Sequence, residues 1–344
     1  MEKQMAKRNA MKRGTKILCR ALLAVLLLLA AAALLWAWQY FHRSDPADII
    51  RYETTNPYIQ DTTEISAHRS GAGIMPEETM MAFENCVENP AFDIDFFEFD
   101  LHITGDDALV LLHDDVLDRT SDSETVFGET NVRPEDKTYA ELRQLNMGAK
   151  FETAEGEMPY ADLHGDAVPD ALRILRLEDI LDYLSSHGDY RYIIEVKNEG
   201  ELGRRSVDFL YEALTRRGML NDVVFGCFHE EVSDYVDEAY PEMMRGAYAS
   251  EVTAFYLAAL LDKQDYAPSF DVLQLPFGDP KESYGLNLAT ARLINYAHKN
   301  NLGVQYWTIN DEEDMAYLIR VGADCIMSDY PDRLYAVRSQ LENR

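Results

Sequence analysis

Hydrophobic and polar positions divide this chain into three stretches. Ala21 to Trp38 runs without a charge, and the apolar run reaches back to Ile17 if Arg20 lifts its guanidinium toward a headgroup layer. A hydrocarbon core about 30 Å thick takes around 20 helical residues, so 17–38 is long enough to cross it. Residues 39–63 are polar, contain Pro46 and Pro57, and read as a connector. From there to residue 344, short apolar runs rich in β-formers alternate with stretches of helical period. Strands are expected at Ile65–His68, Phe96–His102, Tyr192–Lys197, Val223–Cys227, Gly246–Ala249, Val272–Leu275, Val304–Thr308 and Cys325–Ser328. Helices are expected over Glu77–Val87, Leu177–Leu184, Val207–Arg216, Glu231–Tyr240, Leu288–Lys299 and Asp311–Val321. Eight such strands in about 265 residues predict an α/β fold, a (β/α)8 barrel with its site at the C-terminal strand ends.

One run breaks the alternation. Ala108–His113 follows the second strand too closely for a helical crossover, so a Gly105-Asp106 turn is expected to fold it back as a hairpin arm. With the turn centred there, His113 lies opposite Glu98 and Leu111 opposite Asp100. Glu98, Asp100 and His113 then share one face, and a one-residue slip would undo that placement.

Charge separates the same stretches. The formal net charge of −29 argues against nucleic acid as a partner. Residues 1–43 hold eight Lys and Arg against Glu2 alone, a net +7, while the remainder holds 24 basic and 60 acidic residues, a net −36. A basic flank (1–16) before an apolar span predicts a cytoplasmic N-terminus and a body on the other side of the membrane. A cleaved signal has an apolar region of about 7–15 residues ending at a small-x-small site. Here Ala30 to Ala33 run into Leu34-Leu35-Trp36, so a single uncleaved signal anchor is expected over 17–38. Trp36, Trp38 and Tyr40 suit the far interface. The four scattered cysteines (Cys19, Cys86, Cys227, Cys325) make neither a disulfide framework nor a CxxC zinc site. No obligate protein partner is implied.

Four stretches place polar residues where a buried strand should be apolar: His68-Arg69, Glu98-x-Asp100, His113-Asp114 and Glu195-x-Lys197. A buried carboxylate is costly unless it is paired or holds a metal. Residues two apart on a strand share a face, so Glu98 and Asp100 converge, as do Glu195 and Lys197. Three convergent carboxylates make a hard oxygen site for one divalent cation, Mg²⁺ or Ca²⁺. His68 and His113 are suited to proton transfer, because imidazole titrates near 6.5. Arg69 and Lys197 are natural phosphate partners.

His68-Arg69, Pro76-Glu77 with Thr79, Glu98-x-Asp100 and His113-Asp114, in this spacing, resemble the glycerophosphodiester phosphodiesterase family. The resemblance continues through Leu117-Asp118-Arg119-Thr120, Glu195-Val196-Lys197, Trp307-Thr308-Ile309-Asn310 and Ser328-Asp329-Tyr330-Pro331. It implies a distorted TIM barrel like that of phosphoinositide-specific phospholipase C, with Thr120 to Ile174 (120–174) as a small insertion beside the barrel mouth. It further implies that Glu98, Asp100 and Glu195 bind the metal, that His68 and His113 are the catalytic pair, and that Arg69 and Lys197 meet the phosphate. The reaction implied is hydrolysis of a glycerophosphodiester to glycerol 3-phosphate and an alcohol. Phospholipase D-like hydrolysis of lysophospholipids or glycerophosphate polymers is the rival within the enzyme class, and a non-catalytic anchored binding module the rival outside it.

The chain departs from the family at Glu78, where Asn is usual, at Ser70-Gly71, and at Ser328, where Thr is usual. Glu78 is expected to add negative charge near the site. Trp307 either walls the pocket or fills the barrel top, and Glu77 either meets substrate or caps its helix. His102 is expected at an exposed hairpin tip, and His164, His187, His229 and His298 on the surface or in loops. Cys227 reads as a small core residue.

Overall fold

The computed structural model describes residues 1–343, apart from the side chains of 2–4, 6–15, 17, 18 and 21. Helix α1 (Glu2–Phe41) contains the expected anchor and continues three residues past it. Its stretch Leu22–Phe41 is long and apolar enough to cross a membrane and is not buried in the protein. The body begins at β1 (Glu64–Ala67) and continues through α2 (Met80–Glu88), β2 (Phe96–Ile103) and β3 (Leu109–Leu111). Two short helices, α3 (Ser123–Phe127) and α4 (Tyr139–Leu142), lie in the insertion before α5 (Leu177–Ser185). Then follow β4 (Arg191–Val196), α6 (Gly200–Arg217), β5 (Val223–Gly226), α7 (Glu230–Ala239) and α8 (Ala249–Leu260). The chain closes with β6 (Val272–Pro276), α9 (Ala291–Lys299), β7 (Gly303–Trp307), α10 (Glu312–Arg320), β8 (Cys325–Ser328) and α11 (Pro331–Glu342).

Strands β5-β4-β2-β1-β8-β7-β6 are parallel neighbours in that order, with β3 antiparallel on β2. The result is a nearly closed, distorted (β/α)8 barrel. The distortion lies between β5 and β6, where the expected strand Gly246–Ala249 shrinks to two single bridges, Phe225 with Arg245 and Gly246 with Val272. Ala249 instead opens α8, because the Glu251 carboxylate turns back to the Tyr248 backbone N–H at 3.1 Å. Glu251 and Asp237 also clamp the buried Arg245 from both sides, which satisfies its guanidinium.

Alternation along β2 sorts the core. Phe97, Phe99, Leu101 and Ile103 point into the layer between strands and helices, against Phe83 of α2 and Leu181 of α5. Glu98 and Asp100 point into the barrel. Phe96, Ile193, Val224, Val272 and Met327 fill the barrel floor beneath them, and Tyr58 of the connector plugs it. A second, smaller core joins the hairpin arm to the insertion, around Val110, Leu117, Leu142, Leu145 and Ile174.

The hairpin register differs from expectation by one residue. Leu111 pairs with Leu101 and Val110 with His102, so strict alternation would turn His113 away from Glu98 and Asp100. The extra residue sits in the turn, where Thr104 N–H bonds the Ala108 carbonyl around a left-handed Asp107. His113 escapes the parity because β3 ends at Leu111, and the chain bends at the histidine. His102 is another correction: it is buried within β2, and burial lowers its pKa to about 4. His298 is buried too, bonded to Asp324 at 2.9 Å.

Candidate active site

The site is built where β1, β2, β4, β7 and β8 end. His68 follows β1 directly, and the next residues, Arg69 (φ 46°) and Ser70 (φ 63°), take left-handed conformations before Gly71. Non-glycine residues adopt that region at a cost, and here it turns the backbone so that the Arg69 N–H donates to Glu98 Oε2 at 2.7 Å. His68 Nδ1 lies 2.6 Å from Asp329 Oδ1, just beyond β8. Asp329 accepts a further bond from Asn310 Nδ2 at 2.7 Å, and Ser328 Oγ donates to Asn310 Oδ1 at 3.1 Å. A carboxylate on Nδ1 leaves Nε2 to face the site, where Thr308 Oγ1 is 3.4 Å and Glu98 Oε2 3.8 Å away. Burial pushes the His68 pKa down, but Glu98 and Asp329 outweigh it and raise it above the usual value.

His113 has the same device on a different element. Its Nδ1 lies 2.7 Å from Asp114 Oδ1, and Arg119 Nε grips Asp114 Oδ2 at 2.6 Å. Arg119 also forks onto Glu77 at 2.6 and 2.8 Å, and Glu77 in turn meets Arg69 Nη1 at 3.4 Å. Burial holds the His113 pKa below its usual value. Burial opposes ionisation of Asp114, yet bonds from Arg119 and His113 bring it down to about 2.

Glu98, Asp100 and Glu195 face one cavity of about 440 Å³, together with His68, Arg69, His113 and Trp307. Burial, and then repulsion from Asp100, push Glu98 and Glu195 up to about 7. Burial acts against Asp100 as well, but Lys197, His113 and Arg69 keep it below its usual value. Lys197 Nζ sits between the acids, 2.7 Å from Glu195 Oε1 and 3.4 Å from Asp100 Oδ1. Among the described residues, no three His, Cys, Asp or Glu side chains converge tightly enough to hold an ion as they stand. Both Asp100 carboxylate oxygens are nevertheless buried without a hydrogen bond, so the donor chemistry suits a hard cation.

Each residue expected at the site thus reaches the barrel mouth, though in different settings. Trp307 walls the cavity, with Phe228 edge-on to it at 6.1 Å. Glu77 caps nothing. Thr79 is the N-cap of α2, and Glu77 is held by two arginines. Glu78 stands beside the site, but its charge is disfavoured there. It is buried, its Oε1 accepts the Asp100 N–H at 2.6 Å, and burial with neighbouring Asp100 and Glu77 raises its pKa well above the carboxylate range. Burial pushes the Cys227 thiol up to about 12, so it is no nucleophile. Asp329, Asn310, Asp114 and Arg119 carry the site's supporting bonds, although the sequence reading gave them no role. Their only advance signal was membership of the same short motifs.

Residues 68–333 match the glycerophosphoryl diester phosphodiesterase family. The chain belongs to that family. Its relatives include a glycerophosphodiester phosphodiesterase of Bacillus subtilis, 26% identical over 79% of this chain and 85% of the relative. Among solved structures, one titled glycerophosphodiester phosphodiesterase, from Agrobacterium tumefaciens, aligns over 80% of this chain and 99% of its own at 21% identity, with a TM-score of 0.58. An Oleispira antarctica phosphodiesterase, solved with the product sn-glycerol-3-phosphate, aligns over 81% and 97% at 21% identity, also with a TM-score of 0.58. Membership in the glycerophosphoryl diester phosphodiesterase family makes the chain a hydrolase, and the solved structures share its barrel.

Proposed function

We propose that this family member hydrolyses glycerophosphodiesters to glycerol 3-phosphate and an alcohol, using His113 and His68 as the proton-transfer pair. The observation that carries the reading is the paired construction. Two imidazoles, each oriented by a carboxylate on Nδ1, border the cavity that also holds three acids and Arg69. His113 is neutral at pH 7 because its pKa is lowered, and a nearby cation would lower it further, so it takes the proton of the attacking oxygen. His68, kept in reach of protonation by Glu98 and Asp329, returns a proton to the departing alkoxide. Arg69 and Lys197 hold the phosphate.

Glu98, Asp100 and Glu195 are the residues to hold a divalent cation, Mg²⁺ or Ca²⁺, which when bound supplies charge neutralisation at a phosphoryl oxygen. The Asp100 oxygens, buried without a hydrogen bond and met only by the longer ion pairs with Lys197 and Arg69, support this. We further propose that α1 anchors the enzyme in a membrane, with the barrel on the extracytoplasmic side, on the strength of its apolar stretch and basic flank. Release of glycerol 3-phosphate from glycerophosphocholine by the full chain, with and without chelator, tests the reaction and the cation together. Turnover unaffected by exhaustive chelation would remove the cation from this reading. No release from a panel of diesters would remove the reaction.

A further inference from the structure

The connector decides which end of the barrel faces α1. Ser44 Oγ accepts the N–H of Ala291, the first residue of α9, at 3.0 Å. Ile50 N–H donates to Asn295 Oδ1 midway along that helix at 2.8 Å, and Asn56 meets Asn301 beyond its end. Barrel helices begin at the catalytic face, so the connector runs from mouth to floor and α1 departs from the mouth. The end of α1 agrees. Trp36 Nε1 donates to the Gly285 carbonyl at 2.9 Å, and Gln39 Nε2 to the Tyr256 hydroxyl at 3.3 Å. Asn287 Nδ2 donates to the carbonyls of Gln39 and His42 at 3.2 and 2.7 Å. Gly285 and Asn287 lie on the β6–α9 loop, and Tyr256 on α8. Glu282, Tyr284 and Leu286 of that loop, with Val252 and Tyr256 of α8, wall the outer part of the catalytic cavity.

The outer face of α8 carries no charge. Thr253, Ala254, Leu257, Leu260 and, just past the helix, Leu261 are exposed, Leu257 by 54% and Leu261 by 80%. The only acid of α8, Glu251, is turned inward onto Arg245. Tyr284, on the neighbouring loop, is 86% exposed. A charge-free apolar face is out of place on a body carrying net −36, unless something apolar covers it.

We propose that the outer face of α8, which starts at the mouth and runs down the flank of the barrel beside α1, and Tyr284 at the rim seat this side of the barrel on the bilayer that α1 crosses. The inference rests on the membrane reading of α1, and continuity with it selects the occupant: the same α8 that shows this face also receives the end of α1. The acidity of the body favours a zwitterionic surface over an anionic one. The cavity then opens into the headgroup layer, and a phosphodiester held in the membrane by one acyl chain reaches His68 and His113 without leaving the interface.

The test uses the full chain, with Cys19→Ala and Cys227→Ala, in phosphatidylcholine vesicles. An environment-sensitive dye is placed by Leu261→Cys, on the proposed face, or by Glu238→Cys, exposed on the neighbouring helix α7 outside it. The dye at 261 should shift to the blue and be quenched by brominated phosphatidylcholine, and the dye at 238 should do neither. Equal behaviour at the two positions overturns the proposal. In the otherwise native chain, L257E/L261E should slow hydrolysis of lysophosphatidylcholine in those vesicles by about tenfold or more, since withdrawing even one leucine from an apolar contact costs that much. It should leave glycerophosphocholine hydrolysis unchanged, and equal losses on both substrates would count against the seat. A wild-type chain that turns over neither substrate refutes the proposed reaction, while the dye still reads the seating.

Discussion

The two histidines of the site have the same hydrogen-bonding design and opposite surroundings. His68 stands at the end of a central strand, its side chain 12% exposed, with its carboxylate partner just beyond the neighbouring strand β8. His113 stands beyond a three-residue hairpin arm, its side chain 30% exposed, and its carboxylate is the next residue in the chain. The first is placed by barrel closure, because Asp329 reaches it only when β1 and β8 pair. The second is placed by side chains, through Asp114, Arg119 and Glu77. The comparison teaches that one function can be held by the backbone on one side and by an ion-pair chain on the other. The two halves should therefore fail differently.

The largest effect should come from His68→Ala and His113→Ala, each lowering turnover by roughly 10²–10⁴-fold, measured as release of glycerol 3-phosphate. Near-normal turnover in both would end the assignment of the pair. Next in size, Asp329→Asn and Asp114→Asn should each cost about 10–100-fold in kcat while leaving the fold intact by circular dichroism, since each removes the group that orients an imidazole. A loss confined to one of them would show that only one half needs its carboxylate.

Arg119→Ala should cost less, within about tenfold in kcat, because Asp114 still reaches His113 directly and exposed ion pairs are weak. A loss as large as that of His113→Ala would mean that the chain through Glu77 and Arg69 positions the phosphate as well. The smallest effect is a shift in pH dependence. Since the His113 pKa is lowered, its neutral form persists below pH 6.5, so the acid limb of kcat/KM should have its midpoint below 6.5. The Asp114 bond raises that pKa, hence Asp114→Asn should move the limb to still lower pH. A limb that moves upward reverses the sign and disproves His113 as the base.

Much of this molecule was legible in its residues. Alternating apolar runs located seven of the barrel strands to within a residue or two, because a strand buried on both faces leaves few other sequences possible. The eighth expectation fails because Gly246 to Ala249 holds a single β-former, Tyr248, and the Glu251 carboxylate starts α8 at once. His113 was placed at the mouth on an argument from parity that the register contradicts. It reaches the site through a bend that periodicity does not encode.

Local pattern and side-chain type alone carry the barrel, the apolar helix and the short motifs that hold the candidate site residues. How those residues are charged and aimed depends on contacts between distant parts of the chain. Glu78 reads as an added negative charge, yet burial beside Asp100 and Glu77 raises its pKa well above the carboxylate range and disfavours that charge. Asp329 lies 261 positions from His68 and becomes its partner only through the pairing of β8 with β1. The connector's path along α9, which puts α1 at the mouth rather than the floor, likewise comes from contacts between distant residues, and no local pattern contains them.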